Sequence, residues 1–104
     1  MAMLTAERPL VQLAPMSEPT ELLASLRSLA ADKPASARAE APALLAEAAA
    51  AEWGLSSHAL PAQVVVETFQ ASKREIWLWV KGDRRWSQLS DYLSARVARR
   101  LGEA

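Results

Sequence analysis

The first feature of the chain is a helical pattern of apolar positions that starts near Ser17. Leucines recur at spacings of three and four as far as Leu29, which is typical of one face of an amphipathic helix. Ser17 is a favourable N-cap, and Glu18 and Glu21 place negative charge in the first turn, where the helix dipole stabilises it. A first helix is therefore predicted over Ser17 to Ala31.

A second helical segment follows after a short connector. Pro42 is acceptable at the first position of a helix, and Gly54 is a natural residue just beyond a helix end. Between them, the four alanines at 48–51 have the highest intrinsic helix propensity and leave a smooth face for close packing. We therefore predict a helix from Pro42 to Trp53, followed by a loop or single turn over 55–63.

The pattern changes in segments 64–69 and 76–80, which are both rich in β-branched and aromatic residues. Such residues favour strands. In addition, the five consecutive apolar residues at 76–80 would surround a helix instead of forming a stripe along it. The two segments are therefore predicted to form an antiparallel β-hairpin with a loop at 70–74.

The side chains also predict the register of this hairpin. One pairing places the even-numbered residues on a common face, namely Val64, Val66, Thr68, Ile76, Leu78 and Val80. The same pairing places the odd-numbered residues on the other face, named the odd face here, namely Val65, Glu67, Phe69, Glu75, Trp77, Trp79 and Lys81. Because a slip of one residue would mix these sets, the pattern selects this register. A two-stranded hairpin is barely stable alone, so both of its faces must pack against other parts of the protein or against a partner. We expect the even face to pack against the helices.

A last helix is predicted over 84–101. Its apolar residues recur at spacings of three and four, and they are Trp86, Leu89, Leu93, Val97 and Leu101. We expect this stripe to be the buried side of the helix, with Arg96, Arg99 and Arg100 exposed.

Together these elements predict a small single domain over 1–104 of the α+β class. The order is α-α-β-β-α, with the antiparallel β-hairpin packed on the helices. Residues 1–16 are expected to form an irregular N-terminal arm, because prolines push the residues before them out of the helical region. Within this arm, Pro9 to Leu13 is a candidate edge strand.

The sequence lacks several residue types and motifs on which enzymes and metal sites depend. The chain of 104 residues has no cysteine, so it contains neither disulfides nor thiolate metal ligands. His58 is the only histidine, no serine lies in a nucleophile-elbow motif, and the three glycines are scattered. We therefore expect a protein that is not an enzyme, with no catalytic, metal or cofactor-binding residues and no small-molecule substrate. Without a signal-peptide pattern or an apolar run of about 20 residues, we expect a cytoplasmic protein that binds no membrane.

Charge is unevenly distributed, although the formal net charge is zero. Residues 1–62 carry four basic and seven acidic side chains, whereas residues 63–104 carry eight basic and five acidic ones. The two parts therefore have balances of −3 and +3. This asymmetry is typical of a polyanion-binding end, and it equally fits two halves that attract each other in the fold.

The odd face of the predicted hairpin is the main candidate for function. Val65, Phe69, Trp77 and Trp79 would form an apolar surface there, and tryptophan is enriched at binding hot spots. Two interpretations stay open, because these side chains could be covered either by the last helix or the N-terminal arm, or by a partner. On the second interpretation the chain is a non-enzymatic protein-interaction module. It would be an adaptor, a chaperone-like protein or a regulatory factor that binds a protein partner or forms a homodimer.

DNA binding is the alternative function. Segment 45–57 resembles the first helix and turn of a helix-turn-helix, and a hairpin after it would form the wing of a winged-helix domain. The resemblance implies a transcriptional regulator. The basic residues near the hairpin are the candidate nucleic-acid contacts, namely Lys73, Arg74, Arg84 and Arg85. However, the segment in the place of the recognition helix, 56–63, contains a proline and neither arginine nor lysine.

Overall fold

The computed structural model describes residues 13–56 and 60–103. Within these ranges the chain forms five α-helices and no strand. The helices are α1 Thr20–Asp32, α2 Pro34–Glu52, α3 Leu60–Gln70, α4 Lys73–Lys81 and α5 Trp86–Glu103. None of the helices in these ranges is long and apolar enough to cross a bilayer.

The predicted α+β fold is wrong, because both segments of the expected hairpin are helical. Residues 64–69 lie in α3 and residues 76–80 lie in α4, with a short turn at Ala71 and Ser72 between them. A β-branched residue lowers helix stability by only a few tenths of a kcal/mol. Burial of a large apolar side chain contributes about 1.5–3 kcal/mol, so packing against the other helices outweighs the strand preference.

The buried residues of α3 have the period of a helix. They form two adjacent rows with spacings of three and four, Ala62–Val65–Phe69 and Val64–Thr68. The predicted hairpin register is therefore also wrong. It separates Val64 from Val65, but both are buried, and it pairs Val64 with Val66, which is exposed.

Helix α4 lies at the centre of the fold and contacts each of the other four helices. Its buried residues are Ile76, Trp79 and Val80. Trp77 and Leu78 are half-buried at the edge of the core. The five apolar residues thus do surround the helix, and the two that the core cannot contain lie near the surface.

Helix α2 begins at Pro34, earlier than the predicted start at Pro42. Pro34 takes the first helical position, where proline is favoured, and Pro42 is buried inside the helix. The predicted end at Gly54 is confirmed. Gly54 has a φ of 70°, and the amide of Leu55 donates to the Ala50 carbonyl at 2.9 Å, which closes the last turn.

The stripe predicted for the last helix is confirmed at its centre, in α5. Leu89, Leu93 and Val97 are each at most 1% exposed. Trp86 and Leu101 are partly buried and pack against the same core from the two ends of the helix. The alternation of apolar and charged residues was therefore sufficient to predict how this helix packs.

The arginines of α5 are less exposed than the sequence predicts. Arg99 is exposed, but Arg96 is half-buried with its guanidinium 5.2 Å from the centre of the Tyr92 ring. Arg100 is half-buried and pairs with Glu67 of α3 at 3.0 Å. Long arginine stems cover apolar surface of the helix, and in Arg96 the burial extends to the guanidinium Nε, which has no hydrogen-bond partner in the described ranges.

Residues 13–19 form neither helix nor strand, and we call this segment the strap. Met16 is 5% exposed and belongs to the core, and Leu13 packs against the same cluster. The strap is thus an irregular segment with a buried anchor. Residues 1–12, which hold most of the predicted arm and of the candidate edge strand, lie outside the described residues.

The strap also explains why α1 starts later than predicted. Ser17 does not cap the helix, because its amide and its hydroxyl donate to the Glu52 carboxylate of α2 at 3.1 and 3.2 Å. Helix α1 therefore begins at Thr20, after Pro19.

Candidate functional site

The four tryptophans of the chain divide between two environments. Three of them donate their indole N–H to the strap, and the pairs are Trp53 with the Ala14 carbonyl (2.9 Å), Trp79 with the Glu18 carboxylate (3.0 Å) and Trp86 with the Met16 carbonyl (2.8 Å). The rings of Trp79 and Trp86 also contact each other, with centres 5.1 Å apart. The strap thus satisfies the polar end of three indoles, as burial of tryptophan requires.

The fourth tryptophan, Trp77, lies apart from the strap on the outer side of α4. It is half-buried, and its indole N–H has no hydrogen-bond partner among residues 13–56 and 60–103. The guanidinium carbon of Arg38, from α2, lies 5.6 Å from the centre of its ring. This distance is within the range of a cation–π contact.

Trp77 and Arg38 both line a surface groove between α2 and α4, which we call the Trp77 groove. Its volume is about 510 Å³, and its lining residues are Pro34, Ala35, Arg38, Ala39, Lys73 and Trp77. Lys73 is one helical turn before Trp77, so both side chains lie on the same face of α4. The small residues of α2 keep the groove open because they project little from the helix surface.

The Trp77 groove is positively charged. Arg38 and Lys73 are exposed, and neither forms an ion pair with a residue in the described ranges. None of the six lining residues is acidic. An apolar wall, an aromatic ring and two cations can hold an anionic ligand with an apolar part.

The structure separates the four predicted interface residues. Val65 and Phe69 are fully buried, and Trp79 is 1% exposed. These three belong to the core of the single chain, and only Trp77 reaches the surface. The predicted odd face does not exist as one surface, since it requires strands, and the prediction of an interface now concerns Trp77 alone.

The predicted nucleic-acid contacts are also divided. Lys73, Arg74 and Arg85 are exposed, while Arg84 is half-buried and bound to the Glu75 carboxylate. Only Lys73 lines the Trp77 groove. The four residues therefore do not all present free positive charge.

The structure removes two parts of the winged-helix resemblance. The wing is absent, because its residues form α3 and α4. Helix α3 takes the place of the recognition helix, but it contains no lysine or arginine, and its exposed residues include Leu60, Val66 and Glu67. A helix that reads DNA normally presents basic and amide side chains to the bases and phosphates.

A second groove lies between α2 and α3 and has a volume of about 450 Å³. Its lining is mostly apolar, namely Ala43, Ala46, Glu47, Ala50, Ala51, Leu55, Ala62 and Val66. It contains no tryptophan and no cation, so it offers less specific chemistry than the Trp77 groove.

Candidate groups for catalysis or metal binding do not gather in the described part of the chain. No cluster of three or more histidine, cysteine, aspartate or glutamate side chains that could hold a metal ion occurs in those ranges. Glu67 and Glu75 are each bound to an arginine of another part of the chain. His58 lies outside the described residues.

Sequence reasoning found Trp77 and Lys73 but missed Arg38. The signal was weak, since Arg38 lies in a stretch of small residues that reads as a connector before the predicted helix start. In the structure this stretch is the first part of α2, and the spacing of Pro34, Ala35, Arg38 and Ala39 places them on one helix face.

Comparison with known proteins adds no further information on the site. No protein-family model matches the chain, and no curated protein or solved structure matches it either.

Proposed function

We propose that the protein is a non-enzymatic interaction module that binds a protein partner at the Trp77 groove. The observation that carries this proposal is the half-buried Trp77, whose indole N–H has no partner in the described ranges and whose ring lines a groove of about 510 Å³. The cytoplasmic location expected from the sequence belongs to the same proposal.

The chemistry of the groove supports binding rather than catalysis. Its lining residues offer no carboxylate, imidazole, hydroxyl or thiol, the groups that most often act in acid–base and nucleophilic catalysis. Tryptophan and arginine, which meet at this site, are the residue types most enriched at the energetic centres of protein interfaces.

The test is affinity capture with the full chain and two matched variants. Trp77→Ala removes the ring from the groove, and Leu60→Ala removes an apolar side chain that is 60% exposed on α3, outside the groove. Circular dichroism and urea denaturation first establish that both variants are folded. The immobilised proteins are then exposed to extract of the organism that makes the protein, and the retained proteins are identified by mass spectrometry.

We expect the wild type and Leu60→Ala to retain a common set of proteins that Trp77→Ala loses. Sedimentation equilibrium of the same three proteins tests the homodimer, which should also be lost only with Trp77→Ala. The proposal is overturned if the folded Trp77→Ala variant keeps every retained protein and the same association state as the wild type.

A further inference from the structure

We infer that the partner segment that enters the Trp77 groove is acidic, an inference that rests on the function proposed above. The groove carries two cations, Arg38 and Lys73, and no acidic side chain lines it. Neither cation is paired with a carboxylate of the described ranges. A partner that brings carboxylates supplies the charge that the chain itself leaves unmatched.

Other cations of the same chain differ from the two in the groove, because they have carboxylate partners or lie elsewhere on the surface. Three of them have a carboxylate partner within the chain, namely Lys81 with Asp83 (3.4 Å), Arg84 with Glu75 and Arg100 with Glu67 (3.0 Å). The exposed Arg85 and Arg99 do not line the Trp77 groove. Arg96 also lies against an aromatic ring, that of Tyr92, but Arg96 is half-buried. Within the described ranges, an exposed cation without an ion pair lies over an aromatic ring at the Trp77 groove, where Arg38 contacts Trp77.

The arrangement of the cations favours carboxylates that are attached to an apolar chain. The guanidinium of Arg38 lies over the Trp77 ring, which restrains a group that binds a carboxylate through two parallel hydrogen bonds. Lys73 supplies a second charge one helical turn away. Pro34, Ala35 and the ring of Trp77 give the same groove an apolar surface, so acidic and apolar residues that alternate in a segment fit the groove.

A polypeptide fits this site better than a nucleic acid. Two phosphate contacts give a salt-dependence slope of only about −2, far below that of proteins that hold duplex DNA with six or more contacts. Of the neighbouring cations, Lys81 at the end of α4 and Arg84 beyond it already pair with carboxylates of the chain. The exposed Lys33 and Arg74, which do not line the groove, would raise the number of phosphate contacts only to four.

The experiment uses the full chain labelled with ¹⁵N and short synthetic peptides of one pattern. The first peptide alternates glutamate and leucine, and two matched peptides carry glutamine or lysine in place of every glutamate. Random duplex DNA is the fourth probe. Binding is followed in nuclear magnetic resonance spectra through the indole N–H signal of Trp77, with the indole signals of Trp53 and Trp86 as internal references on the strap.

We expect the glutamate peptide to shift the Trp77 signal and to bind about tenfold more tightly than the glutamine peptide, since only it meets both cations. The lysine peptide should not bind. Raising the salt concentration from about 50 to about 300 mM should weaken the glutamate peptide several-fold, because exposed charges are screened. The double variant Arg38→Glu with Lys73→Glu should lose the binding, while the control Arg85→Glu with Arg99→Glu should keep it.

Each remaining outcome overturns a defined part of the argument. If Trp77→Ala loses the captured proteins but the groove double variant keeps them, the proposed function stands and the acidic partner is wrong. If the glutamine peptide binds as tightly as the glutamate peptide, the acidic partner is wrong as well. If duplex DNA shifts the Trp77 signal and displaces the glutamate peptide at lower concentration, the groove binds nucleic acid and the inference fails.

Discussion

The strap and the Trp77 groove use the same side chain in opposite ways. At the strap, three indoles have their rings against the core and their N–H groups bound to residues 14–18. At the groove, the indole of Trp77 also packs against the core, but its ring contacts the Arg38 guanidinium and its N–H has no partner in the described ranges. All four side chains are equally hydrophobic, so hydrophobicity does not separate the structural tryptophans from the surface one. The hydrogen-bond partner of the indole N–H does.

The largest effect is expected when one tryptophan of each kind is truncated. Trp79→Ala should cost about 3–5 kcal/mol of unfolding free energy, because Trp79 is 1% exposed and its loss leaves a cavity. Trp77→Ala, two positions earlier on the same helix, should cost about 1.5 kcal/mol or less. The Trp77 side chain is only half-buried, so its removal loses less of the free energy gained by burying apolar surface. Urea denaturation followed by circular dichroism measures both. Equal losses for the two variants would end the distinction.

A second prediction concerns the anchor of the strap. Met16→Ala should cost about 2–5 kcal/mol, since a buried side chain is removed from the core. Hydrogen exchange at the indole N–H groups of Trp53 and Trp86 should become faster, because the carbonyls they bind belong to the strap. The indole of Trp77 should exchange fast in both proteins. Unchanged exchange at Trp53 and Trp86 would show that Met16 does not hold the strap.

A third prediction tests one hydrogen bond of the strap. Glu18→Ala should cost about 1–3 kcal/mol, because it leaves the indole N–H of the buried Trp79 without its acceptor. Glu18→Gln keeps an acceptor oxygen and should cost less. Glu21→Ala, an exposed position on α1, serves as the control and should change stability by about 0.5 kcal/mol or less. Denaturation curves in which Glu18→Ala matches this control would contradict the prediction.

The smallest effect is expected at the groove. Arg38→Ala should cost about 0.5–1 kcal/mol, the contribution of a cation–π contact at an exposed site. Lys73→Ala should leave stability nearly unchanged, because Lys73 is exposed and makes no ion pair with a residue of 13–56 or 60–103. The same denaturation measurement checks both. A loss of several kcal/mol for either variant would mean that the groove is part of the structural core.

The length and polarity of each helix decided whether its sequence pattern predicted it. Helix α5 has 18 residues, so its apolar stripe repeats several times between charged residues and could be predicted. Helices α3 and α4 have only 11 and 9 residues, and their apolar runs 64–66 and 76–80 conceal the helical period. In segments this short, the strand preference of the residues is a stronger signal than the helical period. The helical conformation is decided by contacts with the other helices, which the local sequence does not reveal.

The candidate site could be predicted in part for the same reason. Trp77 and Trp79 would share a face in a strand, because side chains two positions apart point the same way. In a helix they are about 200° apart around the axis, so one is buried and the other is near the surface. No sequence pattern indicates which of the two lies outside, or that Arg38 of a distant helix lies over the exposed ring.

The strap has a consequence for the order in which the chain can assemble during its synthesis. The Met16 carbonyl accepts a hydrogen bond from Trp86, which lies 70 positions later in the chain. The Glu18 carboxylate accepts one from Trp79, which lies 61 positions later. Helices α1 and α2 are adjacent in sequence and can pair while the ribosome is still translating the rest. The strap leaves the ribosome before either helix, and its contacts with Glu52 and Trp53 can form once α2 is complete. Its contacts with Trp79 and Trp86 must wait until α4 and α5 emerge. Several contacts of the strap therefore wait for helices that are made long after it.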